Sequence, residues 1–422
     1  MKNILHTAVR IKEGKIMNFV FISPNFPQNF WQFCDRLKNN GVNVLGVGDA
    51  PYDFLSDELK ASLTEYYKVD TLEDYDAVFR AIGFFSFKYG KIDWLESNNE
   101  HWLRLDAHLR RDFNITTGVQ PDDLALWQSK SAMKPVYKAA GIPSARNHKV
   151  TDLAAARVFL DEVGGYPLFA KPDTGVGADD TWKIENDAQL EAFFIEKSDY
   201  PYVIEEFVTG DIYSYDAICD SNGDPLFESS FICPNVAESV NNGTEVLYYV
   251  TADVPEQLRA LGRKALKAFK VKNRFTHFEF FRLTEARKGL GKAGDFVGLE
   301  VNMRPAGGYT PDMMNFAHST DVYTLWADMV CTNSRRLSDN GVHRYCVFAS
   351  RKDAFTHTHT HNEILDRYGS RIVLCERMPD IFSAAMGNQM YTALCDTIAD
   401  AREFAEYVLD EQAAIVTPAL FR

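Results

Sequence analysis

The first third of the chain alternates short unbroken apolar runs with segments of helical spacing. Met17–Ser23 and Val42–Val47 are such runs and predict buried strands, and Gln28–Leu37 between them has apolar residues at helical intervals. A strand, a helix and a strand within about 30 residues predict a parallel βαβ unit. Residues 17–128 are therefore predicted to form one open α/β domain, although no GxGxxG dinucleotide fingerprint follows the first strand. Its further predicted elements are a strand at Ile92–Glu96 and helices at Asp74–Ile82 and Trp102–Phe113.

Beyond residue 128 the pattern changes to short strands that alternate with helices and hairpin turns. The helix predicted at Lys130–Ala140 contains Pro135, which should kink the helix or delay its start. Residues 129–334 are predicted to form a core region, and 335–422 a C-terminal α/β portion. The predicted strands are Tyr166–Lys171, Thr181–Ile184, Tyr202–Val208, Tyr213–Cys219, Pro225–Cys233, Phe275–Leu283, Phe296–Met303, Tyr345–Ser350 and Ile372–Cys375, and the predicted helices are Leu153–Val163, Ala188–Ile195, Pro255–Phe269, Asp321–Val330 and Ala399–Leu409.

The composition is that of an acidic globular protein. The 422 residues suggest two or three domains of about 150 residues each. The 59 acidic residues outnumber the 45 basic ones, which gives a net charge of −14. Such a surface repels phosphate backbones, so nucleic acid is not an expected partner. No apolar run approaches the length of about 20 residues that a membrane span needs, so no membrane association is expected.

The cysteines and the N-terminus favour a cytoplasmic protein. Seven cysteines are scattered without a CxxC pair, a pattern typical of free thiols in a reducing compartment. Residues 1–16 mix charged and apolar side chains and lack the apolar core of a signal peptide. Met17 is an alternative translation start, because the first clear strand begins there.

Two predicted strands bring acidic side chains together. Period-2 alternation places Glu300, Asn302 and Arg304 on one face of a strand. Glu279 lies on the preceding predicted strand, and a hairpin would bring it beside them. Two carboxylates and an amide oxygen form a hard oxygen set suited to Mg²⁺ or Mn²⁺, and Arg304 adds a fixed cation for charge that develops on oxygen. The alternative is a solvated strand face with ordinary salt bridges.

A glycine-rich loop follows a lysine at the end of a predicted strand. Lys171 is followed by Thr174–Ala178, which contains Gly175 and Gly177. Backbone N–H groups of such a loop and the lysine ammonium can hold phosphate. The GxxxxGK[ST] spacing of a Walker A loop is absent, and an ordinary hairpin turn is an equal alternative.

Histidines provide two further candidate features. His357, His359 and His361 alternate with threonine, and on a strand they would share one face that could ligate zinc. The alternative is an ordinary strand or edge segment of the C-terminal portion. His277 precedes Glu279 by two residues on the same face, where it approaches a substrate site or packs in the core.

The order of these features resembles the ATP-grasp superfamily, which includes D-alanine–D-alanine ligase, biotin carboxylase and amino-acid ligases. A lysine that opens a helix comes first, then a strand lysine with a Gly-rich loop, then the strand segment EEFV, and finally ExNxRP. The resemblance runs from about Lys130 to Val330, and GLEVNMRPAGG is its most specific stretch, followed by YPLFAKP…GVGADDTWKI. It implies an α/β protein (α+β in the grasp core): a Rossmann-like pre-ATP-grasp domain, an ATP-grasp fold with a mobile lid at about 150–207, and a C-terminal subdomain.

The resemblance also implies roles for individual residues, with ATP and Mg²⁺ (or Mn²⁺) as cofactors. One departure concerns the ribose: the segment is Gly210-Asp211-Ile212, so Asp211 would act from a shifted position. The implied roles are phosphate contacts from Lys130 and Lys171, a closing loop with Gly175 and Gly177, adenine contacts from Glu205 and from the backbone of Glu206 and Val208, a ribose contact from Asp211, Mg²⁺ ligands Glu279, Glu300 and Asn302, and Arg304 facing the transferred phosphoryl group.

The implied reaction is the ATP-dependent joining of a small carboxylate to an amine or a similar nucleophile. A carboxylate oxygen attacks the γ-phosphate, which gives an acylphosphate and ADP, and the amine then displaces phosphate. A stand-alone amino-acid or peptide ligase fits the length. A biotin carboxylase-like or carbamoyl-phosphate synthetase-like ligase, a kinase-like activity and a regulatory protein that binds nucleotide without turnover are the alternatives. The region 335–422 completes the site or forms an interface between two copies of the chain.

Overall fold

The computed structural model describes residues 16–175, 180–233, 244–378 and 383–410, which contain three β-sheets. The three sheets follow one another along the chain. The first is parallel, the second is a small antiparallel sheet, and the third is a large antiparallel sheet that extends to the C-terminal part of the described chain.

The first sheet is parallel throughout, which confirms the prediction of parallel βαβ structure. Its strands are β1 (Asn18–Ile22), β2 (Asn43–Gly48), β3 (Glu65–Lys68) and β4 (Trp94–Glu96). They are arranged in the order β3-β2-β1-β4. All of β1 is buried, because Phe19 and Phe21 pack into one apolar cluster while Val20 and Ile22 pack into another on the opposite face. Both faces of this sheet are therefore covered.

The helices around the first sheet begin where side chains cap them. Ser56 and Asp74 each accept a hydrogen bond from a backbone N–H in the first turn of the helix that follows. The segment predicted to be helical from Gln28 begins as a short 3-10 helix and continues as α1. The α-helices of this region are α1 (Trp31–Asn39), α2 (Asp57–Ser62), α3 (Tyr75–Tyr89), α4 (Leu103–Asp112) and α5 (Leu124–Gln128).

Helix α6 (Lys130–Ala139) connects the first region to the rest of the protein. Its cap is Ser129, whose side chain accepts a hydrogen bond from the Ala132 N–H. The helix starts at Lys130 and includes Pro135, so the predicted delay of the start is wrong. The cap fixes the first turn, and this orients the Lys130 side chain.

The second sheet, called the lid sheet below, has a core of its own. Its strands are antiparallel and are arranged in the order β5-β8-β6-β7: β5 (Asn147–Lys149), β6 (Leu168–Pro172), β7 (Trp182–Ile184) and β8 (Tyr202–Glu206). Helices α7 (Leu153–Val163) and α8 (Asp187–Glu196) cover it. Phe159, Phe193 and Tyr202 lie in the apolar cluster between them. Most of this unit lies in the segment at about 150–207 for which the sequence predicts a lid, and the mobility of that segment stays a prediction.

The third sheet is built around two ten-residue antiparallel strands, β9 and β13, which run side by side along their full length. Its order is β14-β13-β9-β11-β12-β15-β17-β16, and β10 pairs with β9. The strands are β9 (Gly210–Cys219), β10 (Pro225–Ser229), β11 (Phe231–Cys233), β12 (Val246–Val250), β13 (Arg274–Leu283), β14 (Phe296–Asn302), β15 (Tyr345–Arg351), β16 (Ile372–Arg377) and β17 (Gln389–Cys395).

The C-terminal strands β15, β16 and β17 extend this third sheet beyond β12. The single strand predicted at Pro225–Cys233 is instead divided into β10 and β11, whose pairing partners differ. The pattern also missed β12 and β17. The helices packed on this sheet are α9 (Glu256–Ala268), α10 (Thr310–Ala317), α11 (Val322–Thr332), α12 (His361–Tyr368), α13 (Ser383–Met386) and α14 (Ile398–Leu409).

Helix α6 packs closely against β14. Gly298 of β14 faces the buried ring of Tyr137, and a Cβ at Gly298 would lie 2.9 Å from a ring carbon. The Gly298 N–H also donates to the Pro143 carbonyl at 2.7 Å. This close approach brings the first turn of α6 to the acidic end of β14.

In the described parts of the chain, no helix has the length and apolar character that crossing a bilayer requires.

Candidate functional site

Glu279 and Glu300 occupy directly paired positions on the antiparallel strands β13 and β14. The next pair on the same face is His277 with Asn302. Because side chains at paired positions point to the same side of a sheet, the two carboxylates and the amide meet on one face. The hairpin predicted from the sequence therefore brings Glu279, Glu300 and Asn302 together, with a shift in register just after Glu279.

His277 links this face to a buried aspartate on β9. Its Nδ1 lies 2.9 Å from Asp216 Oδ1, and its Nε2 lies 3.1 Å from Glu279 Oε1. Burial alone would lower the pKa of His277, but the two carboxylates outweigh it and raise this pKa to about 9. The imidazolium in turn holds the pKa of Glu279 below its usual range although burial opposes this shift. His277 therefore contacts the site directly and fixes the position of the Glu279 carboxylate.

Three lysines lie around the acidic face, two on α6 and one on β6 of the lid sheet. Lys130 Nζ lies 3.2 Å from Glu300 Oε1 and donates to the Gly175 carbonyl at 3.0 Å. Lys171 Nζ, at the end of β6, lies 2.8 Å from Glu205 Oε2. Lys134, which the sequence analysis missed, lies one turn after Lys130 on α6, and the spacing of four residues was its only signal.

Glu205 lies between two of these lysines. Its Oε1 is 2.7 Å from Lys134 Nζ, and its Oε2 is 2.8 Å from Lys171 Nζ. Burial would raise the pKa of Glu205, but the two ammonium groups lower it to about 2. Burial lowers the pKa of Lys134, whereas for Lys171 the Glu205 charge outweighs burial and raises the pKa. The carboxylate of Glu205, expected near adenine, therefore holds the lysines in place.

The neighbouring Glu206 is fixed by two arginines, Arg146 and Arg287, that are not part of the predicted site. Arg146 binds its carboxylate through Nε at 3.0 Å and Nη2 at 2.7 Å, and Arg287 adds a contact at 3.1 Å. The Glu206 N–H also donates to the Arg146 carbonyl. Because Arg146 precedes β5 and Arg287 lies between β13 and β14, this cluster joins the lid sheet to the large sheet. No single motif in the sequence marks this contact.

Arg304 follows β14 and presents its guanidinium to the same space. Nη1 donates to the Pro305 carbonyl at 2.8 Å. Within the described residues, no carboxylate lies within ion-pair distance of Arg304, although several acidic side chains surround the site. Arg304 is therefore an available cation at the acidic face.

Many of these side chains line one cleft between the lid sheet and the large sheet, with a volume of about 190 Å³, whereas Lys134, His277, Arg146 and Arg287 hold lining residues in place from behind. Ile212 lines it where Asp211 was expected, since the two residues alternate along β9, and Asp211 is not among the described lining residues. Gly177 lies outside the described residues, and Gly175 takes part through its carbonyl. The lining residues are Lys130, Ala145, Phe169, Lys171, Thr181, Glu205, Glu206, Phe207, Val208, Ile212, Cys233, Glu279, Phe281, Leu299, Glu300, Asn302 and Arg304.

The three C-terminal histidines are not brought together as a metal site. His357 Nε2 lies 2.9 Å from Glu245 Oε1, while His359 contacts the Tyr407 carbonyl and His361 the Tyr391 hydroxyl. The segment is not a strand, because His361 already begins α12. Among the residues that the structure describes, no group of three His, Cys, Asp or Glu side chains is arranged to hold a metal ion, so the zinc hypothesis gains no support.

Comparison with known proteins gives matches in structure. The sequence matches no protein-family model and no curated protein. An L-amino acid ligase from Bacillus licheniformis superposes with a TM-score of 0.69 at 15% identity, over 93% of this chain and 98% of the ligase. A phosphoribosylglycinamide synthetase from Anaerococcus prevotii gives 0.66 at 12% identity, over 94% and 98%.

A third structure is the biotin carboxylase domain of the 2-oxoglutarate carboxylase from Hydrogenobacter thermophilus, in complex with MgADP, ADP and bicarbonate. It gives a TM-score of 0.66 at 14% identity, over 94% of this chain and 90% of that domain. All three matches span almost the full length of both chains, so the likeness extends over the first sheet, the lid sheet and the large sheet together. The chain therefore has the ATP-grasp fold.

Proposed function

We propose that the protein is an ATP- and Mg²⁺-dependent ligase that activates a carboxylate as an acylphosphate and joins it to an amine. The observation that supports this most directly is the cleft itself. There the paired Glu279 and Glu300 lie opposite the lysines of α6 and β6, with Arg304 beside them. Anionic ligands for a metal and cations for phosphate thus face one space. ATP-grasp ligases of known structure have the same fold at 12 to 15% identity.

The donor set fits Mg²⁺. Glu279, Glu300 and Asn302 offer hard oxygen atoms on one face of the sheet, and Mg²⁺ prefers a small number of carboxylates together with phosphate oxygens. When bound, the metal supplies positive charge against the phosphates of ATP. Lys130 and Lys171 would hold the phosphates, and the backbone of Glu206 and Val208 would face the adenine.

The chain's own groups would then position two successive transfers. First, an oxygen of the substrate carboxylate bonds to the γ-phosphorus of ATP while the bond to the bridging oxygen breaks, and ADP leaves. Next, the amine bonds to the acyl carbon, the carbon–oxygen bond to phosphate breaks, and the amine loses a proton. Arg304 stabilises negative charge on the phosphoryl oxygens. The lid would exclude water, which otherwise hydrolyses the acylphosphate.

The test is ADP release from ATP with Mg²⁺ and pools of small carboxylic acids and amines. We expect release to require Mg²⁺ and a carboxylate, and product to require an amine. Glu300→Gln keeps the shape of the side chain but removes a metal-binding charge, and it should lower turnover by about 100-fold or more. Glu285→Gln, on an exposed position just beyond β13, is the matched control and should turn over normally. Mg²⁺-dependent turnover that survives Glu300→Gln contradicts the proposal.

The compartment belongs to the same proposal. All seven cysteines are free, and five of them are buried. Free thiols persist where glutathione and thioredoxin keep proteins reduced, which supports a cytoplasmic location. We also propose that the protein forms a homodimer. The mass of the protein in solution tests this assembly.

A further inference from the structure

A second cavity lies beside the loop that follows Arg304. Its volume is about 370 Å³, compared with about 190 Å³ for the cleft, and the two spaces share no lining residue among those that the structure describes. A space of this size is in the range of pockets that hold small molecules. Its walls are mainly apolar, since they include Phe26, Pro27, Trp31, Tyr309, Met378 and Met386.

Three parts of the chain form the second cavity, and hydrogen bonds tie them together. The segment after β1 provides Asn29, whose Nδ2 donates to the Gly308 carbonyl at 3.1 Å. The hydroxyl of Tyr309, which precedes α10, donates to Glu376 Oε2 on β16 at 2.8 Å. The first domain, the core and the C-terminal portion are therefore joined around this space. Such walls make a preformed site, as is usual for small-molecule pockets.

The second cavity is close to Arg304 along the chain. Gly308 lines the second cavity, and it follows Arg304, which lines the cleft, by four residues. Four residues of chain span at most about 14 Å, so both spaces lie within reach of two substrates of amino-acid size. The segment that follows β1 also leaves the carboxyl edge of the parallel sheet, where open α/β sheets bind ligands.

The second cavity is not an ordinary packing defect of the core. Protein cores are packed as densely as organic crystals, with few voids larger than a water molecule. The wall residue Phe26 is 46% exposed, so the space is open to solvent there. Two methionines, Met378 and Met386, also line it, and flexible thioether side chains adapt to apolar groups of different shape. The cavity therefore suits a range of apolar side chains.

The charge of the second cavity disfavours an acidic occupant. Among the lining residues that the structure describes, Glu376 is the one charged side chain. An anionic group in this space would lie near a like charge and would lose hydration without gaining a cation from the described walls. A neutral apolar group has no such cost and gains from leaving water.

We propose that the second cavity binds a neutral apolar side chain, aliphatic, aromatic or thioether, of one of the two substrates. This inference rests on the proposed ligase function and narrows its substrate class to compounds that carry such a side chain. The side chain has two sources: the carboxylate that is activated, or the acceptor amine. The lining residues select the substrate in either case and take no part in bond formation.

Two variants change the second cavity. Met386→Glu places a charge among the apolar walls at a half-buried position, and Gln28→Trp adds a ring at an exposed lining residue. The matched controls are Val342→Glu, at a residue that is 47% exposed, and Gln257→Trp, at an exposed position of α9. Neither control residue lines the cleft or the second cavity. A cooperative melting transition like that of its control shows that each variant is folded.

Two series of compounds separate the two sources of the side chain. The first offers glycine, L-leucine, L-phenylalanine and L-glutamate as carboxylates, with hydroxylamine as an acceptor that has no side chain, and measures the hydroxamate formed. The second offers glycinamide, L-leucinamide and L-phenylalaninamide as acceptors, with the best carboxylate of the first series held fixed. These amides have no free carboxylate, so they act only as acceptors. ADP release gives kcat and KM in both series.

We expect the wild type to prefer leucine and phenylalanine compounds over glycine compounds by about 10- to 100-fold in kcat/KM in one of the two series. Met386→Glu and Gln28→Trp should remove most of this preference, with KM for ATP and the turnover of glycine compounds unchanged. A preference in the first series identifies the carboxylate, and one in the second identifies the acceptor. The inference is overturned if neither series shows a preference, if both variants keep it, or if glutamate matches leucine in the series that shows it.

Failure of the proposed function gives a different result. If the wild type neither releases ADP nor gains thermal stability from ATP with Mg²⁺, the ligase proposal is wrong. Thermal melting with L-phenylalanine and L-phenylalaninamide then still reads the second cavity, with glycine and glycinamide as the comparison. A rise in melting temperature that the glycine compounds do not give, and that Met386→Glu abolishes, supports the apolar site. The absence of such a rise overturns it.

Discussion

Glu205 and Lys171 lie on adjacent antiparallel strands of the lid sheet, with Glu205 Oε2 2.8 Å from Lys171 Nζ. The same carboxylate reaches Lys134 on α6. All three side chains are buried, and the single carboxylate compensates one of the two ammonium charges before any phosphate enters. A polyanion that enters the cleft would compete with Glu205 for the two ammonium groups.

Removal of the Glu205 charge should therefore destabilise the protein in a way that nucleotide reverses. Glu205→Gln leaves two buried lysines without their counter-ion, and the free energy of unfolding should fall by about 3 kcal/mol. Urea denaturation measures it. Added ATP and Mg²⁺ should restore part of the loss, because phosphates replace the missing carboxylate. Glu191→Gln breaks an exposed lid ion pair with Arg157 and should cost less than about 1 kcal/mol. Equal costs for both variants would contradict this account.

The packing of α6 on β14 predicts opposite effects of two glycine-to-alanine substitutions. At Gly298 the new methyl group would press on Tyr137, which is fully buried and cannot move away, so Gly298→Ala should destabilise by about 1 to 3 kcal/mol. At Gly83, inside α3, nothing lies within 4 Å of the new Cβ. Gly83→Ala should stabilise by up to about 1 kcal/mol through helix propensity. Thermal melting of the two variants, measured side by side, gives both changes in stability. Destabilisation of equal size in both variants would contradict the prediction of opposite effects.

The sequence predicted the acidic face because its residues lie on two strands that follow one another along the chain. Glu279 and Glu300 are on consecutive strands, and period-2 alternation with a hairpin is enough to pair them. Lys134 and Glu205 are 71 positions apart by their residue numbers, and Arg146 and Glu206 are 60 apart. Such contacts depend on how the lid sheet packs against the large sheet, which no local pattern encodes.

Two predictions from the sequence are wrong because they also depend on contacts that no local pattern encodes. One concerns which residue of a strand faces the cleft, and the other concerns which segment forms a strand. Ile212 rather than Asp211 lines the cleft, because the register of β9 against β13 decides which residue of the pair faces it. The alternation of histidine with threonine after residue 356 looked like a strand, but Thr360 caps helix α12 there.

Stability should depend on pH through His318. This residue is buried and shares a hydrogen bond of 2.9 Å with Ser229, and burial lowers its pKa to about 4. The folded state therefore binds the proton less readily than the unfolded state, in which the pKa is about 6.5. The stabilising contribution is complete above about pH 6.5 and is lost as the pH falls through about 4. Urea denaturation between pH 4 and 7 should show a fall of at most about 3 kcal/mol from this group. His318→Gln should remove this part of the slope, and His101→Gln, at an exposed position, should keep it.

Mg²⁺ should govern nucleotide binding through the paired carboxylates. With ATP alone, the negatively charged phosphates would lie next to the carboxylates of Glu279 and Glu300 without a metal between them, and these like charges repel one another. ATP with Mg²⁺ should raise the melting temperature, because a ligand at 100 times its Kd adds about 2.7 kcal/mol to the free energy of unfolding. ATP with EDTA should give little or no rise. Glu279→Gln removes one charge that repels the phosphates and also one metal ligand. Compared with the wild type, the rise in melting temperature should therefore be larger with ATP and EDTA and smaller with ATP and Mg²⁺. Equal stabilisation by ATP with and without Mg²⁺ in the wild type would mean that the acidic face does not bind the metal.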